Sequence, residues 1–293
     1  MEPDGRYAVA LVALTPLAIP LYAVVLVLAG VRLVVVRRRR TVVLPVAVLA
    51  VAGLVVHGWW YAPQVTGANP PPAAGADPLV VMTANLRLGE GDGVELVRAA
   101  AEQHVGLLVV EEVTPALLTD MDRAGLAELL PHRIGEPGSG ATGTMAFARV
   151  PLTDPARVPT YLGTWAFTMG DLRVLAVHPT YPVDASSWAR DQEVLAGAVA
   201  DERPDLVAGD FNATDDHAPM RALADAGYRD VAELANDGWQ PTWPATGVFD
   251  LVGLSLAQID HVLVGPRLAA IGQHTVAVPG SDHRAVVALV ARK

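Results

Sequence analysis

Apolar residues fall in two very different patterns along this chain. From Tyr7 to Gly30 the run "YAVALVALTPLAIPLYAVVLVLAG" carries no charge, and "TVVLPVAVLAVAGLVVHGWWY" repeats the pattern from Thr41 to Tyr61. A bilayer core takes about 20 apolar residues in helix, so each run is long enough to span one. After residue 78 the apolar runs shrink to strand length and alternate with amphipathic stretches. "PLVVMTANL", "VGLLVVEEV", "GTMAFAR", "LRVLAVHP", "DLVAGDFN", "QIDHVLVG" and "HRAVVALV" read as strands. Four stretches between them read as helices: "DGVELVRAAAEQH", a segment opened by Thr114 and Pro115, "DASSWARDQEVLAGAVADE" with Asp184 as its N-cap, and "HAPMRALADAG", ended by Gly227. The mixture predicts an α/β or α+β domain built on mixed sheets.

The two long runs read as retained membrane helices. Pro16, Pro20 and Pro45 would weaken a soluble helix but are tolerated in a membrane where freed backbone groups find partners. Trp59, Trp60 and Tyr61 stand where an interfacial aromatic belt belongs. The first run lacks the basic leader of a cleaved signal peptide, having only Arg6 against Glu2 and Asp4, and it is longer than a signal core. Residues 1–62 are therefore expected to form a two-helix transmembrane hairpin. Its short loop holds Arg37 to Arg40, with Arg32 nearby, and arginine-rich short loops stay in the cytoplasm. That orientation makes the protein multi-pass in the cell membrane and puts the rest of the chain outside. Residues 63–78, "PQVTGANPPPAAGADP", have no periodicity and read as a partly extended linker, with at most about 3.1 Å per residue. Residues 79–293 make the soluble domain.

Charge narrows the choice of partner. The 293 residues carry a formal charge of -10, but from Pro63 onward 15 basic residues face 29 acidic ones, a net of -14. That stretch has no basic run, which counts against tight binding of long nucleic acid. Cysteine is absent, so the domain is not a disulfide-stapled one; its size allows a core to hold it.

Polar residues collect at the ends of the apparent strands. In "LVAGDFNATDD" Asp210 and Asn212 follow an apolar run, with Gly209 making room. Residues i and i+2 of an extended chain point to one side, so both could enter a single pocket; a simple turn is the competing reading. Asn85 ends the first strand, Glu111 and Glu112 the second, and His178 another. Asp260 opens a strand, and Asp282 with His283 precedes the last. Each alone has an ordinary explanation as a cap, a loop residue or a solvated carboxylate. Together they form an oxygen-rich set with two histidines and no thiols, suited to magnesium or manganese rather than structural zinc.

The ordered series "TANL", "EEV", "HPTYP", "GDFN", "QIDHV" and "SDHR" resembles the endonuclease/exonuclease/phosphatase superfamily from about Leu79 to Val290. "GDFN" and "SDH" are its most specific pieces. "TGTMAFARVPL" looks like the family's central strand, with Ala148 where serine is frequent. Glu111 stands where the family usually has glutamine, adding a carboxylate beside the metal-binding glutamate. The resemblance implies a four-layer sandwich of two mixed β-sheets flanked by helices, here preceded by the two membrane helices. It implies that Asn85, Glu112 and Asp282 attend a divalent ion, Mg2+ or Mn2+, which polarises a phosphoryl oxygen. It further implies that His283, oriented by Asp260, binds or deprotonates the attacking water. Asp210 and Asn212 would orient nucleophile and phosphate, and His178 would donate to a phosphate oxygen. His261, His217, His132, His104, His57 and His274 read as surface or packing residues; Trp243 in "PTWP" reads either as packing or as cleft lining.

Two functional classes remain at this level. One is an extracytoplasmic, membrane-anchored phosphoesterase acting on a phosphodiester, a lipid head group or a sugar phosphate. The other is a silent relative serving as a membrane-tethered binding module, which should have lost members of the constellation. The topology is directly testable. A reporter fused after Lys293 is expected to work only if it is active outside the membrane, and one placed between Arg38 and Arg39 only if it is active inside; the reverse pattern would overturn the orientation.

Overall fold

The computed structural model describes residues 5–35, 40–67, 69–247 and 254–293. Arg37, Arg38 and Arg39 of the basic loop lie outside the described residues.

The first apolar run does not form one helix. It divides into α1 (Arg6–Ala13), a 3-10 turn over Thr15–Leu17, and α2 (Ala18–Val35). The cause is Pro16, which has no N–H to give the carbonyl of Val12, four residues back. The Thr15 hydroxyl donates to that carbonyl instead, at 2.6 Å. The second run is a single helix, α3 (Arg40–Tyr61), with Pro45 inside it. Helices α2 and α3 pack as a hairpin in which the Tyr22 ring lies on Gly53, where a Cβ would come within 2.4 Å of it. Small residues at helix contacts are typical where two apolar helices approach closely. Thr15–Val35 and Thr41–Tyr61 are candidate membrane spans by length and composition, and most of their apolar side chains face outward.

The linker follows the domain surface instead of leaving a loose tether. A short helix, α4 (Pro63–Thr66), leads it, and the Gln64 amide donates to Asp215 at 3.1 Å. Asn69 donates to the Ala270 carbonyl at 3.0 Å and the Ala73 N–H to the Arg292 carbonyl at 2.8 Å.

The domain then runs β1 (Leu79–Asn85), α5 (Gly93–Glu102), β2 (Leu107–Glu111), α6 (Pro115–Arg123), α7 (Leu126–Leu129), β3 (His132–Gly135) and β4 (Met145–Ala148). It continues with β5 (Leu152–Val158), β6 (Thr164–Met169), β7 (Leu172–Val177), α8 (Ala185–Glu202), β8 (Leu206–Asp210) and α9 (Ala218–Asp225). The last elements are β9 (Arg229–Asp230), α10 (Val231–Ala235), β10 (Asp260–Val264), β11 (Leu268–Ala277) and β12 (Arg284–Arg292). Side-chain caps start α6 and α8 as their sequences predict. Asp184 accepts from the Ser186 and Ser187 amides, and Thr114 from Leu117 with Pro115 in the first turn.

Among the described residues the strands make two six-stranded mixed sheets, in the orders β11-β12-β1-β2-β4-β3 and β5-β6-β7-β8-β10-β9. Strand alternation divides the core into layers. Val81 and Val109 of one sheet meet Val174, Ala208 and Val262 of the other between them. Met82 and Leu108 turn outward onto Leu96 of α5 and Leu117 of α6. Leu175 and Val207 turn outward onto Trp188 and Leu195 of α8. The result is the four-layer sandwich. Each large apolar side chain so buried contributes about 1.5–3 kcal/mol.

Parallel pairing positions the site. β1 lies parallel to β2 with Asn85 opposite Glu111, and β7 parallel to β8 with Val177 opposite Gly209. β10 runs antiparallel to β8 with Asp260 opposite Asp210. The polar strand ends thus share one edge of the sandwich. Gly209 has φ 151, and a Cβ there would meet the Val177 carbonyl oxygen at 2.0 Å. Gly209→Ala is therefore expected to lower unfolding free energy by about 1–3 kcal/mol, as overpacking does, measured by chemical denaturation.

Candidate active site

Six polar residues meet at that edge with short contacts. Asn85 donates its amide to Asp210 at 3.0 Å and to Glu112 at 3.3 Å, and accepts from the Arg87 N–H at 2.9 Å. Glu112 also accepts from the Leu88 N–H. His283 donates Nδ1–H to Asp260 at 2.8 Å, leaving its Nε2 4.0 Å from Asp210. His178 places Nε2 3.7 Å from Asp210 and 4.0 Å from Glu112. Asn212 and Asp282 line the same cleft: the Asn212 amide donates to the Pro179 carbonyl at 3.0 Å, and Asp282 accepts from the Trp243 indole at 3.3 Å. All eight residues singled out in the sequence are brought together. Glu112 and Asn212 both adopt left-handed backbone, φ 60 and φ 49, which turns the chain sharply at the strand ends.

The electrostatics follow from burial. Desolvation pushes the Asp210 carboxyl up to about 7, with the Asp260 charge adding to it. Burial raises Glu112 as well, against the hydrogen bonds it accepts from Leu88 and Asn85. Burial lowers His178 to about 3, so its ring is neutral. For His283 burial pulls downward, but the Asp260 charge and hydrogen bond, with Asp210 and Asp282, outweigh it and lift the ring to about 10. Glu111 is fully buried, accepts from the Thr83 hydroxyl at 2.9 Å, and is raised well above the ordinary range by desolvation and by Asp260 and Asp210. Burial thus works against its charged form and weakens the negative charge that its sequence position suggested.

Several buried atoms here lack a protein partner: both ring nitrogens of His178, one carboxyl oxygen of Glu111 and one of Asp260. Orphaned polar atoms of this kind point to a ligand. The donor set fits a hard divalent cation. Oxygens of Asp210 and Asp260 and a nitrogen of His283 lie within 4.8 Å of one another. Yet His283 and Asp260 already satisfy each other through Nδ1, so the Glu112 carboxylate beside the Asn85 amide makes the better cation place. Asn85 would have to present its oxygen there instead of its N–H groups.

Some contributors were not apparent from the sequence. Ser281 donates to the Asn85 carbonyl at 2.7 Å and accepts from the His283 N–H at 2.9 Å, tying the last loop to β1. Thr242 accepts from the Ile259 and Asp260 N–H groups at 3.2 and 3.3 Å. Both stand inside quoted stretches, Ser281 in "SDHR" and Thr242 in "PTWP", but a short hydroxyl there carries no sequence signal of its own. Trp243 does line the cleft. His261 and His217 pack inside: His261 pairs with Asp230 at 2.7 Å, and His217 reaches the Val9 carbonyl at 3.0 Å.

The profile of the Endonuclease/Exonuclease/phosphatase family matches residues 82–283. No curated protein sequence matches the chain. Among solved structures, an AP endonuclease from Archaeoglobus fulgidus is similar at 14% identity and TM-score 0.59, over 72% of this chain and 98% of its own. A family protein from Bacteroides thetaiotaomicron is similar at 16% identity and TM-score 0.57, over 74% and 99%. A mannosyl-6-phosphatase from the same organism is similar at 15% identity and TM-score 0.54, over 72% and 99%. At these identities the likeness is one of fold.

The His283–Asp260 contact predicts a pH signature. Because the ring is raised from 6.5 to about 10, its stabilisation is fully present below pH 6.5 and is lost as pH rises through about 10. In metal-free Asp260→Asn, burial meets less opposition and the His283 value is expected to fall toward or below the ordinary one. Histidine ring titration by NMR reads this; an unchanged value would show that Asp260 does not set it.

Proposed function

Since the chain belongs to the endonuclease/exonuclease/phosphatase family, we propose that it is a divalent-metal-dependent phosphoesterase. In this reading the hairpin anchors it in the cell membrane with the catalytic domain outside. The observation that carries the reading is His178, a buried neutral imidazole whose two ring nitrogens have no protein partner and whose Nε2 faces Asp210 and Glu112. A phosphate oxygen supplies the missing partner.

Glu112 and Asn85, with Asp282 on the cleft wall, would hold Mg2+ or Mn2+. Bound there, the ion supplies charge to offset that developing on a phosphoryl oxygen. The chain's own groups do the rest. Asp210 lies near 7 and is held by the Asn212 N–H at 2.8 Å, so it can take a proton from water at neutral pH. His283, fixed through Nδ1 by Asp260, points Nε2 inward and donates to a phosphate oxygen. The water oxygen forms the new P–O bond as its proton passes to Asp210, and the ester oxygen leaves with the electron pair of the broken P–O bond and is protonated from solvent.

With bis-p-nitrophenyl phosphate and magnesium, Glu112→Gln, Asp210→Asn and His283→Ala are each expected to cut turnover by at least about a hundredfold while leaving the fold intact by circular dichroism. Chelation should abolish activity, and added magnesium or manganese should restore it. Full turnover in excess chelator, or in all three variants, would remove the mechanism.

A further inference from the structure

We propose that the substrate is an amphiphilic phosphate ester, a phosphate carrying a hydrocarbon chain, taken from the bilayer that the hairpin occupies. This rests on the phosphoesterase reading. The cleft has a volume of about 740 Å³, with Asn85, Glu112, Asp210 and His283 grouped in it. Its walls are of another kind. Val9, Ala10, Ala13 and Leu14 line it from α1 and the turn that follows, together with Tyr181 and Val183 of the loop after β7. Large apolar side chains remain exposed around it: Tyr7 at 72%, Val183 at 63%, Leu88 at 50% and Trp243 at 41%. An apolar patch of this kind joined to a polar site marks a contact with an apolar partner.

Charge argues the same way. Among the described residues lining the cleft, Arg87 is the one guanidinium or ammonium, and it is paired with Glu90 at 3.3 Å. A polynucleotide track needs several cations spaced along it. A sugar phosphate needs hydrogen-bonding groups around the ring, which the α1 wall does not offer. A hydrocarbon needs neither.

The link to the membrane is structural. Two consecutive residues of the loop after β8 hold both candidate spans. His217 meets the Val9 carbonyl of α1, which continues through the Pro16 turn into the first span. Asp216 accepts from the Trp60 indole and the Tyr61 hydroxyl at the end of the second, both at 2.8 Å. These contacts lie a few residues beyond Asp210 and Asn212. The cleft is thereby fastened to the membrane end of the hairpin, and α1, which lines it, leads through the Pro16 turn into the first span.

The test uses the full chain in lipid nanodiscs with magnesium and two water-soluble probes cleaved at the same bond, p-nitrophenyl butyl phosphate and p-nitrophenyl octyl phosphate. The octyl ester is expected to show kcat/KM at least about tenfold above the butyl ester, because each added methylene leaves water. Val183→Asp and Ala10→Glu, both at exposed positions, should reduce that ratio at least about fivefold. Butyl turnover in the same samples reports that the site is folded. A long-chain ester in the protein's own nanodiscs should be cleaved faster than the same ester in separate ones. Cleavage of the butyl ester with no octyl preference, variants that keep the preference, or equal rates in own and separate nanodiscs would each overturn the inference and leave the phosphoesterase reading standing. No cleavage of either soluble probe by the wild-type chain would remove both.

Discussion

The hydrogen bond between His283 and Asp260, 2.8 Å long and buried, joins the two sheets of the sandwich. His283 precedes β12 of one sheet and Asp260 opens β10 of the other. The Asn85–Asp210 contact crosses the same seam, from β1 to β8. Four carboxyl groups, on Glu111, Glu112, Asp210 and Asp260, are buried here. Like charges so placed cannot all ionise without a counterweight. The raised imidazole of His283 is the counterweight, and the crowding also shifts Glu111 upward. Removing one partner from a buried pair costs about 3–5 kcal/mol because the other is left uncompensated. The site is therefore also a clasp between the sheets.

Around this polar seam the fold places two contrasting surroundings. Below it, Ser281, Thr242 and Thr83 set the backbone and carboxyl positions through hydroxyl hydrogen bonds. To its side lies the apolar wall built from α1, which exists because Pro16 breaks the first apolar run. An unbroken helix would carry those residues along the axis of α2. Instead the turn frees one short helix to cover the cleft, and His217 and Asp216 hold the arrangement in place.

Much of the fold was legible because central strands are written in the sequence as apolar runs. β1, β2, β7, β8, β10 and β12 lie inside their sheets and are buried on both faces. The strands that local pattern leaves illegible are chiefly short or peripheral. β5 is an exposed edge strand containing Pro155, with a register shift between Thr153 and Ala156. β11 is an edge strand with an irregularity between Ala270 and Gly272. Such strands lack the alternation that a period-based reading needs. β3 spans only four residues and β9 two.

The sequence alone determined which residues end the central strands, because apolar periodicity locates a strand and the polar residue after it must face a surface or a site. It also determined the two long apolar runs and the acidic balance of the domain. Tertiary structure decided what these residues do to one another. The upward shift of Glu111 comes from its burial beside Asp260 and Asp210, residues far away in the chain. Whether the linker swings free depends on carbonyls at Ala270 and Arg292 that no local pattern announces. The wall of the cleft is the clearest case. Val9 meets His217 across 208 positions of sequence, and a contact at that separation is set by how whole layers pack, which no local periodicity encodes.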